Sequence, residues 1–281
     1  MSFKILKNLE LVPAIHLMEI SAPLIAKKAQ PGQFIILRVD EKGERIPLTI
    51  ADFSREEGTI TLIFMVVGKT TTILSMLKKG EELQNFIGPL GNPAHIANDE
   101  TVLFVGGGVG IAPLYPQAKA FKAAGSKVIS VIGVRSANLL FWEKEMEAVS
   151  DELYVATDDG TKGHHGFVTD MVKQLLDGET KVDRVVAIGP PVMMRSVAGL
   201  TRPYQVPTVA SLNSIMVDGT GMCGACRVLV GNETKFACVD GPEFDAHLVD
   251  FTLLISRLAM YQSEEKIALE KYRCGRERCQ C

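Results

Sequence analysis

Apolar residues in the first third of the chain follow a two-residue period. From Lys7 to Ser21 (KNLELVPAIHLMEIS), Gln33 to Asp40 (QFIILRVD) and Thr59 to Val67 (TITLIFMVV) they alternate with polar residues or run unbroken, with β-branched side chains frequent. That pattern predicts strands. Turn chemistry separates them at Gln30-Pro31-Gly32-Gln33, Glu41-Lys42-Gly43-Glu44, Glu56-Glu57-Gly58 and Lys79-Gly80-Glu81-Glu82. Short strands with tight turns predict a small antiparallel β-barrel or sandwich over residues 1–97. Past Asp99 the pattern changes. Buried-strand runs (TVLFVGGG, SKVISVIGVRS, ELYVATDDG, DRVVAIGPP) alternate with helical ones (APLYPQAKAFKAAG, LLFWEKEMEAVSD, FVTDMVKQLLDG). Strand and helix in turn predict a doubly wound α/β domain with a mostly parallel sheet over residues 98–210. Residues 211–250 are rich in glycine and cysteine, 247–272 read as helix, and a cysteine-rich tail follows, so 211–281 form a third, small region.

Composition narrows the function classes. Of 281 residues 47% are hydrophobic and 22% charged, enough for a packed core. The net charge of −3 supplies no basic field for nucleic acid or an anionic membrane. No apolar run approaches the roughly 20 residues of a membrane span, and the N-terminus lacks a signal-peptide pattern. No cysteine precedes Cys223; Cys223, Cys226 and Cys238 form one group and Cys274, Cys279 and Cys281 another. Clustered cysteines suit a metal-binding loop better than a disulfide framework, and a cytoplasmic, reducing location is expected.

Three segments carry candidate chemistry. Gly106-Gly107-Gly108-Val109-Gly110-Ile111-Ala112-Pro113 stands between a predicted strand and helix. Without Cβ atoms there, backbone N–H groups can approach a pyrophosphate at a helix N-terminus; the plain alternative is a tight strand-to-helix turn. Further strand ends offer Arg135, Asp158-Asp159-Gly160 and Gly189-Pro190 with Met193. Asp158-Asp159-Gly160 could equally be only a turn. The cysteine loop reads Asp218-x4-Cys223-x2-Cys226-x11-Cys238, where a plant-type [2Fe–2S] site has cysteine at the first position. Either Asp218 is a carboxylate ligand beside three thiolates, or a tail cysteine such as Cys274 completes the set and Asp218 shapes a turn. A tetrahedral zinc site is a further alternative.

VGGGVGIAPL, the GPPVMM strand end, and RIPLTIAD followed by GPLGNP resemble the ferredoxin–NADP reductase superfamily. That resemblance implies a flavin-binding barrel and an NAD(P)H-binding domain. With the cysteine loop it narrows to electron-transfer subunits, those of dihydroorotate dehydrogenase and, more closely, the small subunits of NADH-dependent ferredoxin:NADP oxidoreductase. The former are expected to carry cysteine where Asp218 stands. The resemblance implies FAD held by Arg45, Pro47, Leu48 and Thr49 and by Met65, Val66, Gly68, Thr70 and Thr71. Arg45 stands four residues before Thr49, one more than the family spacing. It also implies NAD(H), or NADP(H), a [2Fe–2S] cluster, and a heterodimer with a large subunit bearing a flavin and [4Fe–4S] clusters, which would deal with ferredoxin in electron bifurcation. A stand-alone flavin diaphorase and a non-catalytic nucleotide- and metal-binding module are the competing readings.

Overall fold

A computed structural model describes residues 3–278, with side chains to Cys274 and the backbone beyond. Cys279 and Cys281 lie outside the described residues. The chain opens with β1 (Phe3–Val12), β2 (Ile15–Ser21), helix α1 (Pro23–Ala26), β3 (Phe34–Arg38), β4 (Ile46–Ser54), β5 (Thr59–Met65), helix α2 (Lys69–Met76), β6 (Glu82–Leu83) and β7 (Asn85–Leu90). The strands form one antiparallel sheet in the order β6-β1-β2-β5-β4-β3-β7. Its two edge strands are consecutive pieces of one stretch: residues 82–83 pair with β1 and residues 85–90 with β3. One segment thereby spans both edges and curls the sheet into a nearly closed barrel, leaving little unpaired edge. Ile5, Met18, Ile20, Ile35, Leu37, Ile50, Ile60, Leu62 and Phe64 fill the interior.

The parallel sheet is built from β8 (Thr101–Gly107), β9 (Lys127–Val134), β10 (Glu152–Thr157), β11 (His164–His165), β12 (Arg184–Ile188) and β13 (Thr208–Ser211). Helices α3 (Ile111–Ala123), α4 (Glu143–Val149), α5 (Val168–Asp177) and α6 (Pro191–Thr201) connect them. Then come the hairpin β14 (Arg227–Val230) and β15 (Glu233–Phe236), the strand β16 (Glu243–Asp245), and helices α7 (Phe251–Leu258) and α8 (Gln262–Arg278). The order is β11-β10-β9-β8-β12-β13-β16, with β16 antiparallel to β13. The unbroken apolar sequence of β8 follows from burial on both faces. Leu103 and Val105 join the core beneath α5 and α6, while Val102 and Phe104 join the core with α3 and α4. The α3 side also takes Ile15, Leu17, Ala51 and Ile63 from the outer wall of the barrel, so barrel and sheet share one apolar interface. Lys119 of α3 reaches Asp52 of β4 across it at 3.5 Å.

The expected fold class holds: an antiparallel barrel, a doubly wound sheet, a cysteine-bearing loop and a C-terminal helical end. Two local expectations differ. The helix expected from Leu139 begins only at Glu143, because Trp142 adopts a left-handed backbone, φ 53°, just before it. The C-terminal helix is two helices, interrupted at 259–261. The segment after Met65 leads into α2; Thr71 Oγ1 accepts from the N–H groups of Val67 and Gly68 at 3.0 Å and caps it.

Candidate nucleotide, flavin and iron–sulfur sites

The first strand of the sheet, β8, has β9 on one side and β12 on the other, so the winding direction reverses between β8 and β12. In an open α/β sheet the ligand crevice lies at the carboxyl ends of those strands. Gly106, Gly107 and Gly108 stand at one lip, Gly189-Pro190 at the other. A Cβ on Gly107 would lie 2.5 Å from Met193 Sδ and 3.2 Å from Pro190 Cδ; one on Gly189 would lie 3.1 Å from both N and O of Gly107. A Cβ on Gly110 would lie 2.3 Å from the Ile188 carbonyl oxygen. These three glycines let the two strand ends press together. Gly108 differs: its φ is +56° and a Cβ there would meet nothing within 4 Å, so its backbone faces open space.

Beyond Gly108 a single 3₁₀ turn carries Val109 and Gly110 into α3. The side chains of Ile111 and Ala112 are buried; the Ile111 N–H donates back to the Gly108 carbonyl, and that of Ala112 stands at the crevice end of the helix. No acidic residue occupies the first turn of α3, so the positive end of its dipole is uncompensated by the chain itself, and Pro113 sits where a missing N–H costs nothing. At the next strand ends the Asp158 and Asp159 N–H groups bond the carbonyls of Val134 and Arg135 at 3.2 and 3.1 Å, which gathers Arg135, Asp158 and Asp159 on one exposed rim. Asp159 Oδ1 accepts from the Thr161 hydroxyl at 2.6 Å and its N–H at 3.0 Å, and these bonds hold its carboxyl below the usual range. With Gly160 at φ +72°, Asp159-Gly160 makes a turn.

The flavin segments lie on the barrel wall that faces this crevice. In β4 the side chains of Ile46, Leu48 and Ile50 belong to the barrel core, so Pro47 and Thr49 are on the outer face together with Ala51, which packs toward α3. Leu48 therefore has only its backbone to offer a ligand. In β5, Ile63 is outward and Met65 follows it, exposed, while Val66 packs inward. β5 runs beside the 3₁₀ turn Gly108–Gly110. Next comes the N-terminus of α2, capped by Gly68, with no acid in its first turn. Thr70 Oγ1 donates to Glu44 Oε2 at 3.1 Å, which ties the segment bearing Arg45 to that turn. Arg45 itself is exposed.

In the cysteine loop, Cys226 and Cys238 are 1% and 2% exposed and their sulfurs stand 3.2 Å apart. The residue spacing makes them the third and fourth positions of the ligand order. Burial pushes the Cys238 thiol up to about 12, so a thiolate pair here requires a cation beside it. Cys223 is exposed, on the other side of the Gly224 turn. Asp218 Oδ1 accepts from the Thr220 N–H at 2.8 Å and Oδ2 from the Cys223 N–H at 2.9 Å; these bonds, chiefly that of Thr220, lower its pKa and keep it ionised. Asp218 thus shapes the turn and also presents a carboxylate beside Cys223. Among the described residues no three His, Cys, Asp or Glu side chains converge on one point. A single tetrahedral ion needs such convergence; a binuclear cluster takes its ligands as two separated pairs. The donor set fits the cluster better than zinc. Cys274 is exposed on α8.

The loop sits directly on the barrel. A Cβ on Gly219, φ +76°, would lie 2.7 Å from Leu90 Cδ1 and 2.8 Å from Ile36 Cδ1. Asn92 Nδ2 donates to the Val239 carbonyl at 3.1 Å, next to Cys238.

One residue of the junction gave no signal in the sequence. Glu243 of β16 accepts from Gln117 Nε2 of α3 at 2.6 Å, while the buried Gln117 Oε1 has no hydrogen-bond partner among the described residues. Burial raises the Glu243 carboxyl to about 7. Its protonated form can donate to that vacant oxygen and close a two-bond acid–amide pair between the nucleotide helix and the cysteine segment.

Comparisons with known proteins agree with this layout. The family model described as the oxidoreductase NAD-binding domain matches residues 104–199, and that of the iron–sulfur cluster binding domain of dihydroorotate dehydrogenase B matches residues 213–250. A dihydroorotate dehydrogenase B (NAD(+)) electron transfer subunit homolog of Thermotoga maritima is 49% identical over 269 residues, covering 96% of this chain and 95% of its own. The corresponding subunit of Geobacillus kaustophilus is 37% identical over 236 residues, 81% and 89% of the two chains. A solved chain from work on flavin-based electron bifurcation, via the structure of NADH-dependent reduced ferredoxin–NADP oxidoreductase, superposes with a TM-score of 0.92. It is 47% identical and covers 96% of this chain and 97% of its own.

Proposed function

This chain belongs to the family of dihydroorotate dehydrogenase B electron transfer subunits and their homologues, and on that premise we propose that it carries electrons between NAD(H), FAD and a [2Fe–2S] cluster and on to a larger partner subunit. The observation that carries the reading is contiguity. β5 runs beside the Gly108–Gly110 turn, and Gly219 lies so close to Ile36 and Leu90 of the same barrel that a Cβ on it would meet both. Three donor sets of different chemistry thus share one scaffold. When bound, the flavin supplies the exchange between a hydride's electron pair and the single electrons that an iron–sulfur centre accepts.

The chain's own residues bind and orient. Gly107, Gly108, Val109, Gly110 and Ala112 offer N–H groups and, with Ile111 and Pro113, a helix end to the dinucleotide pyrophosphate, opposite Gly189, Pro190 and Met193. Arg135, Asp158, Asp159 and Gly160 form the rim for the far end of the nucleotide. Pro47 and Thr49, with the Leu48 backbone, Met65 and Val66, form the flavin wall. Gly68, Thr70, Thr71 and Arg45 receive the flavin phosphates. Cys223, Cys226 and Cys238 hold the cluster with Asp218 as the fourth ligand. The barrel then ends at residue 97 and the nucleotide domain at 210. The shared apolar interface keeps water from the contact between barrel and crevice.

We place the activity in NADH-dependent reduced ferredoxin:NADP⁺ oxidoreduction, with the partner supplying the ferredoxin-linked flavin and [4Fe–4S] clusters. Asp218, standing at the first ligand position, favours this over dihydroorotate oxidation, the second reading that the relatives' names support. Metal and flavin analysis of Asp218→Ala and Asp218→Cys beside the parent tests the assignment. Iron loss in the first with retention in the second supports it; full iron in Asp218→Ala contradicts it. The subunit that co-purifies separates the two activities.

A further inference from the structure

The carboxyl of Glu243 and the amide of Gln117 belong to none of the three donor sets, yet they meet where three parts of the molecule join. The segment that runs from Cys238 into β16 is tied down by backbone bonds on two sides. Asn92, just past β7, donates from its N–H to the Gly241 carbonyl at 2.7 Å and from Nδ2 to the Val239 carbonyl at 3.1 Å. The Leu212 N–H donates to the Pro242 carbonyl at 2.9 Å, and Glu243 pairs with Ser211 as β16 adds to β13. The barrel and the edge of the parallel sheet thus hold this segment. Its tie to α3, the helix whose first turn stands at the crevice, is the Glu243 side chain.

Gln117 is 1% exposed, so neither end of its amide can turn to water. Its Nε2 donates to Glu243 Oε1 at 2.6 Å, and its own Oε1 has no partner among the described residues. An ionised Glu243 has only lone pairs to offer and leaves that oxygen unsatisfied; a protonated one supplies the missing donor. The surroundings do little for the anion. β13 sets Val209, Ala210 and Ser211 beside β16, none of them charged. Arg184 of β12 attracts it, but Glu100 already holds that guanidinium at 3.0 Å. Lys119 of α3 pairs with Asp52, and Asp245, on the same face of β16, is exposed and accepts from the His247 N–H at 2.9 Å. Burial outweighs Arg184, which is why the Glu243 carboxyl is raised to about 7. Pro116, directly before Gln117, has no N–H to give, so α3 lacks one intrahelical bond at that turn and depends more on its outside contacts there.

We propose that Glu243 and Gln117 form a proton-operated latch that fastens the cysteine segment to the nucleotide helix, closed by two hydrogen bonds when the carboxyl holds its proton and loosened when that proton passes to solvent. One O–H bond breaks, water takes the proton, and no other reactant is needed. In the open state a single bond from the amide remains, and the carboxylate turns toward its part-exposed side. The latch therefore sets, by pH, how firmly the segment that begins at Cys238 is seated against the nucleotide domain.

The test compares the full-length parent with Glu243→Gln, which supplies a permanent donor in nearly the same shape, from about pH 5.5 to 8.5. At each pH the rate of iron loss to a chelator is expressed as the ratio of parent to variant, which cancels the pH dependence of cluster loss itself. That ratio should rise about tenfold across the range, as expected for one titrating group. Backbone amide exchange over residues 238–245, expressed as the same ratio, should rise with it. Gln117→Glu, which sets two carboxyls on one proton, should move the rise upward by about one pH unit or more. A ratio that stays constant with pH overturns the latch, and so does a Gln117→Glu profile that coincides with the parent's. The iron readout rests on the cluster reading and the exchange readout does not. A parent that binds no iron therefore removes that reading, and amide exchange alone then decides the latch.

Discussion

The nucleotide crevice and the cysteine loop are both rich in glycine, yet their glycines answer different demands. At the crevice, Gly107, Gly110 and Gly189 are needed because two strand ends meet with no room for a Cβ, and only Gly108 combines a left-handed backbone with open space. In the loop, Gly219, Gly221 and Gly224 all have φ between +67° and +82°, so the chain is turning tightly at each one. The first set closes a joint and leaves one opening. The second bends a short segment so that Asp218, Cys223 and Cys226 come round on one loop. Close approach and tight turning are thus separate uses of the same residue.

Substitutions separate the two uses. The largest effect is expected for Gly110→Ala: the obstacle is backbone carbonyl, which cannot swing away, so unfolding should become easier by about 3 kcal/mol or more in denaturant titration. Gly219→Ala combines left-handed strain with a clash, but against the ends of Ile36 and Leu90 side chains that can shift. A loss of about 2 kcal/mol is expected, with looser seating of the loop on the barrel read as faster iron loss to a chelator. Glu243, which joins the two regions, should give a pH-dependent term. Its carboxyl is raised to about 7 in the fold, so its contribution is whole below the ordinary carboxylate range and declines as pH rises through 7. Between pH 5 and 8 the parent should lose on the order of 2 kcal/mol that Glu243→Gln does not, the figure being reduced from the full shift because the residue keeps part of its surface in solvent. The smallest stability effect belongs to Gly108→Ala, about 1 kcal/mol for the left-handed backbone alone. The same variant should weaken NADH binding by more than tenfold, since the new methyl occupies the one open approach. Unchanged NADH affinity there would remove Gly108 from the site.

Much of this was legible in the chain. Two-residue alternation through residues 7–67 announced the barrel, and the TVLFVGGG and DRVVAIGPP runs announced the two strands that frame the crevice. Cysteine spacing named the loop. What escaped has physical causes. The stretch Lys69-Thr70-Thr71-Thr72-Ile73 is β-branched and reads against a helix, yet Gly68 and the Thr71 cap start one there. Leu48 and Val66 belong to the segments proposed for the flavin, but strand alternation turns their side chains inward. The Gln117–Glu243 bond joins residues 126 positions apart, and the packing of α8 beside α2 spans a still longer separation. No local pattern encodes either.

If the nucleotide, flavin and iron–sulfur sites proposed on this chain form one connected path, electrons from NADH must reach the iron. Anaerobic titration of the purified chain with NADH, followed in the visible spectrum, reads this. The flavin bands and the broader iron–sulfur absorption should both fall, and Cys226→Ala should leave only the flavin response. Bleaching of the flavin with an intact cluster that keeps its oxidised spectrum at excess NADH would contradict it.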